Sequence, residues 1–303
     1  MKTKLVLFSF WLTLVGLGNL ATMQVLAQEQ DEDVRGAFLT TRPKTVEKNT
    51  HSGPTARPNR RRPKNTTTKQ TTSTEVTAKV TVKTSESGPA KMTSQRIGLG
   101  VTLFTRDNNG LTVRVDPTHE FHKGDRIRLL LETNADGYLY IFDSTDGGQP
   151  VMIYPNPDLD EAGNFIQGHV PVELPSSVAS EERLRWLTFD EHAGMERLYL
   201  VLTREPLATV PLEDDLISFC RVNNANCPLH PGSDLWAQLQ KESKMPVKVD
   251  KAQKFGKAQT ESEHVATTRG IGLSKEDPQP SVIMLTASSN TGKLVTTLDL
   301  IHK

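Results

Sequence analysis

The stretch "GYLYIFDSTDGGQPVMIYPN" (Gly137–Asn156) contains the residues that look most capable of chemistry. Its loop holds two carboxylates, Asp143 and Asp146, and carboxylate oxygens are the ligands that hard cations prefer. The loop lacks the spaced acids of a calcium-binding EF-hand and the Gly-Lys-Ser/Thr ending of a phosphate-binding P-loop. Because β-rich apolar runs flank it, the pattern favours a hairpin connection in which Gly147 and Gly148 adopt positive φ angles.

A second candidate site is the cluster of Asp190, Glu191 and His192 in "FDEHAGME". An imidazole beside carboxylates is what general acid–base catalysis requires. In this sequence, however, no serine or cysteine stands in a recognisable nucleophile setting such as Gly-x-Ser-x-Gly. We therefore expect a polar turn. The alternative is a hydrolase or metal-dependent enzyme that uses these three residues together with another loop.

Three tyrosines, Tyr138, Tyr140 and Tyr154, form the candidate binding surface. Tyr138, Tyr140 and Phe142 share one face of a strand because side chains alternate with a period of two. An exposed stripe of this kind would bind a sugar or a peptide. Packing in the core is the competing explanation of the same pattern.

Cys220 and Cys227, in "CRVNNANC", are the only cysteines of the chain. The chain is expected to be exported, because residues 1–27 resemble a signal peptide, as described below. Two cysteines close together in an exported chain most simply form one local disulfide. His230 follows shortly after, so a Cys-Cys-His metal site is the alternative, but a fourth ligand at a familiar spacing is missing. The sequence therefore predicts a disulfide, and neither a metal nor another cofactor.

Residues 1–27 have the layout of a secretory signal peptide. Lys2 and Lys4 precede an apolar run from Leu5 to Gly18, and a small-residue cleavage site ends at Ala27. The apolar run is shorter than the roughly 20 residues of a spanning helix, which disfavours an uncleaved anchor. We expect an exported protein, periplasmic or extracellular, with no transmembrane segment after signal cleavage.

Residues 28–96 are rich in Thr, Pro, Lys and Arg, and almost no apolar residue recurs in them with a period; the alternation in "TEVTAKVTVKT" has too few apolar residues to hold a strand alone. Such a segment cannot bury enough apolar surface to offset its ordering entropy, which predicts a disordered linker. Its basic cluster at 57–64, "RPNRRRPK", either contacts anionic envelope material or is only a solvated part of the tether. Over the whole chain, 36 basic residues balance 36 acidic ones, which argues against nucleic acid as a partner.

Residues 97–303 are expected to form one mainly β domain, an antiparallel β-sandwich with one short helix. Short β-rich runs recur at about ten-residue spacing between Gly, Asn and Asp turns, and the Asn-Gly at 109–110 marks a hairpin. The runs "YLYIF" and "LYLVLT" are apolar on both faces, which predicts central strands. Residues 211–270 interrupt the pattern as an insertion of loop and helix, with the helix in "SDLWAQLQKES", and residues 281–301 are expected to close the chain as a hairpin.

An ordered set of short motifs within residues 101–206 resembles the family known as domain of unknown function 4384 (DUF4384). The motifs are a Gly-Asp turn before a strand, Asp136-Gly137-Tyr138 followed by Leu-Tyr, and the strand end Tyr154-Pro155-Asn156. A strand ending in Leu-Pro and a Gly-x-Glu turn before a final hydrophobic strand follow in the same order. The resemblance implies a compact β-sandwich module of exported or envelope-associated bacterial proteins, and it implies no catalytic residues.

The sequence as a whole predicts an exported, non-catalytic β-sandwich module that binds a protein or a cell-envelope polymer and is tethered by the basic linker. No set of nucleophile, base and oxyanion-stabilising residues is recognisable in the sequence. The enzyme built on Asp190, Glu191 and His192 is the alternative, and a purely structural envelope protein is a third reading. Convergence of those three side chains in one concave pocket would favour the enzyme, whereas dispersal beside an exposed sheet edge would favour binding.

Overall fold

A computed structural model describes residues 34–45, 96–159, 163–222, 227–252, 255–288 and 291–303 of the chain. The predicted signal peptide with its cleavage site at Ala27, and the basic cluster at 57–64, lie outside these residues. The described part is mainly β, with strands in two sheets, as the sequence predicted, but it contains several short helices where one was expected. None of the helices in these residues is both long enough and apolar enough to cross a membrane.

The strands and helices are numbered in chain order. The strands are β1 (Gly98–Arg106), β2 (Thr112–Val115), β3 (Glu120–Phe121), β4 (Arg126–Thr133), β5 (Gly137–Thr145), β6 (Val151–Tyr154), β7 (Phe165–Ile166), β8 (Val172–Leu174), β9 (Leu187–Thr188), β10 (Gly194–Thr203), β11 (Val247–Lys251), β12 (Val282–Thr286) and β13 (Lys293–His302). The helices are α1 (34–39), α2 (Asp214–Val222), α3 (Ser233–Glu242) and α4 (Glu261–Arg269), with short 3-10 turns at Pro157–Leu159 and Glu182–Arg185.

Two sheets pack face to face. Sheet A has the order β11-β12-β1-β4-β8, with β2 added beside β1 and β9 beside β4. Sheet B has the order β3-β13-β10-β5-β6, with β7 beside β5. The pairings are antiparallel except for the parallel contact between β3 and β13. The predicted central strands, β5 and β10, are indeed neighbours in the middle of sheet B.

The alternation of side chains along the strands creates the core. Alternate apolar residues of β1 and β4, such as Leu103 and Leu129, face Leu139 and Ile141 of β5 in one cluster between the sheets. The opposite face of β5 points away from sheet A and is covered by α2 and α3, which form a second cluster with it. Both faces of β5 are therefore buried along its first part, which explains the continuous apolar run from Tyr138 to Phe142.

Helix α1 lies within the segment predicted to be a disordered linker, so that prediction does not hold for residues 34–45. Phe38 is fully buried against Ile283 and Leu285 on the outer face of sheet A. β1 accommodates it with glycines, because a Cβ atom at Gly98 would stand only 2.8 Å from the Phe38 ring. A short apolar motif in a polar context carries too little periodic signal to be recognised.

The predicted closing hairpin at 281–301 is a second difference. β12 pairs with β1 and β11 in sheet A, whereas β13 pairs with β10 and β3 in sheet B, so the two consecutive strands belong to different sheets. The insertion at 211–270 is also more ordered than expected, since it supplies an edge strand, β11, and the helix α4. Helix α4 begins with a capping box between Thr260 and Glu263, the Thr-x-x-Glu signal that its sequence carries.

Candidate functional site

The hairpin that the sequence analysis singled out places its two acids in different environments. β5 and β6 pair as predicted, and the turn uses positive φ angles at Asp146 and Gly147, while Gly148 is not among the positive-φ residues. The Asp146 carboxylate accepts a hydrogen bond from the Met195 backbone N–H at 2.8 Å and thereby ties the turn to β10. Asp143, in contrast, lies on the inner face of sheet B, because it continues the alternation that buries Leu139 and Ile141.

Asp143 lines a cavity between the two sheets at one end of the sandwich. The cavity has a volume of about 270 Å³ and is open to solvent at the rim. Sheet A and the segment after β9 contribute apolar walls, whereas sheet B contributes most of the acids. The lining residues are Ile127, Asp143, Thr145, Ile153, Leu187, Thr188, Phe189, Asp190, Glu196, Leu198, Leu300 and His302.

Neighbouring strands bring Asp143 and Glu196 to the same place. Asp143 is paired with Leu198, and Glu196 with Thr145, in the β5–β10 ladder. Residues directly opposite each other and those two apart share a face, so both carboxylates point to the inner side of sheet B. The Thr145 hydroxyl donates to Glu196 Oε2 at 2.7 Å, which leaves Asp143 as the acid without a side-chain donor.

The Asp143 carboxylate is destabilised in its charged form. The pKa of Asp143 is raised to about 6, mainly by burial and further by the negative charge of Glu196. A hydrogen bond from the Ser144 backbone opposes this rise. Its Oδ1 atom is buried and accepts no hydrogen bond within the described structure. A buried acceptor without a donor is costly, so a ligand that donates to Asp143 would remove an existing penalty.

The rim of the cavity is acidic as well. Asp190 Oδ1 accepts from the His192 backbone N–H at 2.7 Å, and its Oδ2 lies 3.1 Å from His192 Nδ1. These contacts with His192 hold the pKa of Asp190 below its usual range. On the other side, the Phe189 ring packs 5.0 Å from the ring of His302 and stacks on Phe121 at 4.8 Å.

The cavity suits a positive charge on an apolar stem. Isoleucine, leucine and phenylalanine side chains line it, while Asp143, Glu196 and Asp190 supply negative charge. Lysine and arginine have this combination, since their methylene chains pack on apolar surface while their cationic heads bind carboxylates. The arrangement can therefore bind a cationic side chain, and a bound cation would bring the pKa of Asp143 back down.

The three residues of the predicted alternative enzyme do not converge. Only Asp190 lines the cavity. Glu191 is exposed and forms a surface ion pair with Lys123 at 3.2 Å, and His192 is engaged within its own turn. The residue that joins Asp190 is Asp143, which the sequence reading treated as part of a turn.

The predicted tyrosine surface is buried. Tyr138 and Tyr140 lie beneath α2 and α3 in the outer cluster of sheet B, and Tyr154 lies in the core between the sheets. The Tyr140 hydroxyl accepts a hydrogen bond from the Leu207 backbone N–H at 3.0 Å, which satisfies it in the interior. These residues therefore cannot present an exposed stripe, because the insertion that follows β10 covers Tyr138 and Tyr140 and sheet A covers Tyr154.

Cys220 and Cys227 lie at disulfide distance, with their Cα atoms 5.3 Å apart. His230 is turned to a different partner, since its Nδ1 lies 2.8 Å from the carbonyl oxygen of Pro150. Within the described ranges, no three or more His, Cys, Asp or Glu side chains are grouped so as to hold a metal ion.

We expect replacement of both cysteines by serine to lower the free energy of unfolding by about 2 kcal/mol, because a short closed loop restricts the unfolded chain only moderately. Urea denaturation of the variant and of the wild type, each without reductant, measures the difference. Titration of the wild-type protein with a thiol reagent under denaturing conditions is the control. Two reactive thiols in that titration would contradict the disulfide.

A buried polar chain that the sequence did not reveal joins residues 34–45 to sheet A. Arg42 forms two hydrogen bonds with Glu132, from Nε at 2.7 Å and from Nη2 at 2.5 Å. Glu132 Oε1 also lies 2.7 Å from His169 Nδ1, and His169 Nε2 lies 2.6 Å from the Thr41 hydroxyl. His169 has a positive φ of 61°. Its partners Glu132 and Thr41 are distant from it in the sequence, so no local sequence pattern identifies this group.

The order of hydroxyl, imidazole and carboxylate in this chain matches that of a hydrolytic triad, but its surroundings do not favour catalysis. The Thr41 hydroxyl donates to the Phe38 carbonyl oxygen at 3.0 Å, and the Arg42 guanidinium neutralises Glu132. A triad needs a free nucleophile and an acid that stabilises the imidazolium. We interpret the group as a structural clasp that fixes residues 34–45 on sheet A.

Comparison with known families gives one result. Residues 120–206 match the family model described as domain of unknown function (DUF4384), which confirms the resemblance seen in the sequence. The match runs from β3 to β10 and includes Asp143, Asp190 and Glu196, whereas Leu300 and His302 of the cavity lie outside it. No curated protein and no solved structure matches the chain.

Proposed function

We propose that the protein is an exported, non-catalytic binding module that takes a cationic side chain of a partner protein into the cavity at the end of the sandwich. The observation that carries this proposal is the buried Oδ1 atom of Asp143, which accepts no hydrogen bond from the part of the chain that the structure describes and belongs to a residue lining an open, apolar-walled cavity. A group that is unfavourable for folding and lies in a cleft is a candidate for function. Export is supported by the signal-like layout of residues 1–27 and by the cysteine pair at disulfide distance.

The partner class follows from the chemistry of the cavity. A lysine or arginine side chain offers both the apolar contact and the positive charge that the lining residues complement. The hydroxyl groups of a neutral envelope polysaccharide could donate to Asp143, but they would bring no positive charge to the carboxylates of the cavity. Of the two predicted partner classes, we therefore favour a protein with an accessible basic residue over an envelope polymer.

The test is a titration of the whole chain with capped lysine and arginine, followed by NMR, with capped norleucine as the neutral control. We expect weak binding, on the order of millimolar, because one side chain contributes few contacts. A cation binds the ionised form of Asp143, so affinity should rise as the pH increases through about 6. Asp143→Asn should weaken binding at least about tenfold, whereas Glu191→Gln, outside the cavity, should not change it.

Two outcomes would contradict the proposal. One is binding of norleucine that equals binding of lysine, which would mean that the acids of the cavity do not recognise charge. The other is lysine binding that is unaffected by Asp143→Asn or by pH between 5 and 7.5, a range that spans the pKa of about 6.

A hydrolase is the second candidate, and one observation favours it. A carboxyl group with a pKa of about 6 beside a second carboxylate has the properties of a general acid with a nearby base. In that case Asp143 and Glu196 would act, because Glu191 and His192 lie outside the cavity. Release of reducing ends from cell-wall polysaccharide that is lost in both Asp143→Asn and Glu196→Gln would favour this candidate over binding.

A further inference from the structure

β11 forms one edge of sheet A. It pairs with β12 over its whole length, and no strand in the described part of the chain pairs with its other side. An unpaired edge presents a row of peptide N–H and C=O groups, which is a template for a further strand. Two exposed apolar side chains lie on or next to this edge, Val249 with 42% and Met245 with 60% of its surface exposed.

The register shows which peptide groups of β11 point away from the sheet. The Ala252 N–H donates to the Ser281 carbonyl at 2.7 Å, one position beyond the strand. Hydrogen-bonded positions alternate along an antiparallel ladder, so Asp250 and Lys248 direct their peptide groups toward β12. The peptide groups of Val247, Val249 and Lys251 consequently point outward.

The strand "VKVDK" is complementary to itself when a second copy is related to it by a two-fold axis at Val249. In that antiparallel register Val249 faces Val249 of the second copy, and Val247 faces Lys251 of the second copy. All these positions carry outward peptide groups, so each facing pair can exchange hydrogen bonds. The register therefore uses every outward group of the strand.

The same register also pairs the charges. Lys248 of one copy lies opposite Asp250 of the other, and the two-fold axis generates this pair twice. These are non-hydrogen-bonded positions, where side chains of facing residues come closest, and opposite charges stabilise them. A shift by two residues in either direction would lose both of these pairs and would place Asp250 opposite Asp250 or Lys248 opposite Lys248.

We propose that β11 is a homodimerisation edge at which two copies of this chain join their A sheets into one continuous sheet. The contact is isologous, as in most symmetric dimers. It comprises one short strand pair and a small apolar area around Val249 and Met245, so we expect a dissociation constant on the order of 10 μM or weaker. Asp250 also holds Arg35 at 2.6 Å, so the dimer contact would lie beside the helix α1.

The first test compares two substitutions at the centre of the edge by sedimentation equilibrium of the full chain. Val249→Pro removes the outward N–H without removing a bond of the β11–β12 ladder, and proline is tolerated at edge positions of this kind. It should weaken dimerisation at least about tenfold. Val249→Thr retains the N–H and the branched side chain and should leave the dimer in place. Circular dichroism shows whether each variant is folded.

The second test uses charge. Lys248→Asp and Asp250→Lys should each be monomeric, because they place like charges opposite each other. An equimolar mixture of the two should form heterodimers, since aspartates of one strand then face lysines of the other. If Asp250→Lys does not fold, Lys248→Asp alone carries the charge test. It should be monomeric, whereas Lys248→Arg, which keeps the positive charge, should dimerise as the wild type does.

Three results would overturn the proposal. A wild-type chain that is monomeric at about 100 μM would mean that the lysines of β11 protect the edge instead of pairing it. A dimer that persists in Val249→Pro would place the contact elsewhere. Binding of an unrelated extended peptide to β11 without self-association would show that the edge serves another partner. None of these results bears on the cation site, because no residue of β11 lines that cavity.

Discussion

Replacement of Asp143 by asparagine is expected to make the protein more stable at pH 7.5 by about 2–3 kcal/mol while it removes cation binding. In the folded protein the pKa of this group is raised from 3.8 to about 6. The stability that goes with a neutral Asp143 side chain is therefore fully present below pH 4. This stability is lost as the pH rises through about 6, because the buried group then ionises. Asparagine has no charge to desolvate, so the variant should not show this loss.

The measurement is urea denaturation of wild type and variant at pH 4 and at pH 7.5. The difference in the free energy of unfolding between the two proteins should be small at pH 4 and should increase toward pH 7.5. Glu191→Gln is the matched control, because Glu191 is an exposed acid of the same region whose replacement should change stability by less than about 0.5 kcal/mol at either pH. A variant that is less stable than the wild type at pH 7.5 would show that the Asp143 carboxylate is satisfied in the folded protein.

Asp143→Asn is expected to raise the free energy of unfolding and to remove cation binding. This combination makes Asp143 informative about function. An alanine, serine or asparagine at this position would avoid the cost of a buried carboxylate. A destabilising group that lies in an open cavity is more often explained by binding or chemistry than by folding.

Substitution of Arg42 by methionine is expected to lower the free energy of unfolding by about 3–5 kcal/mol. Both Arg42 and Glu132 are almost completely buried, so removal of the cation would leave Glu132 buried with His169 as its remaining charged-group partner among the described residues. Arg42 also donates to the carbonyl oxygens of Ser274, Asp277 and Pro278 at 3.0–3.1 Å, and these acceptors would lose their donor. Chemical denaturation at neutral pH measures the loss.

The control is Arg183→Met, which removes an ion pair with Glu181 that is mostly exposed on both sides and should cost less than about 1 kcal/mol. The double variant Arg42→Met with Glu132→Met should recover part of the loss, because it removes the unpaired charge as well. If Arg42→Met costs no more than the surface control, residues 34–45 are not held by the buried pair in solution.

The sequence predicted those parts of the fold that depend on local pattern. The Asn-Gly turn after β1 and the glycine turn after β5 both produced hairpins, and continuous apolar runs identified the central strands β5 and β10. The pattern could not show that β12 and β13 belong to different sheets, because a period of two reports which face is buried and not which partner a strand pairs with. Helix α4 was missed although its capping signal at Thr260 and Glu263 is visible in the sequence, since the apolar stripe that usually accompanies a helix is weak there.

For the site, the signal that could have been used is an acid at a core-facing position. Along β5, the inner residues Leu139 and Ile141 are followed by Asp143, and along β10 Glu196 precedes Leu198 and Leu200. Carboxylates that continue an inward-facing row in two neighbouring strands indicate a polar end to the core. His302 and Leu300 could not be assigned to the same cavity, because their position depends on the pairing of β13 with β10, a contact between distant parts of the chain.

The position of β13 also determines the order in which the protein can be completed. This strand follows all the other strands in the chain, yet it lies between β3 and β10 in the interior of sheet B. During synthesis, β10 therefore remains an unpaired apolar edge until β13 has emerged, and the parallel contact with β3 closes one of the longest loops in the molecule. A nascent chain of this design is late to fold and vulnerable to aggregation, so it benefits from being held unfolded until its last strand is available.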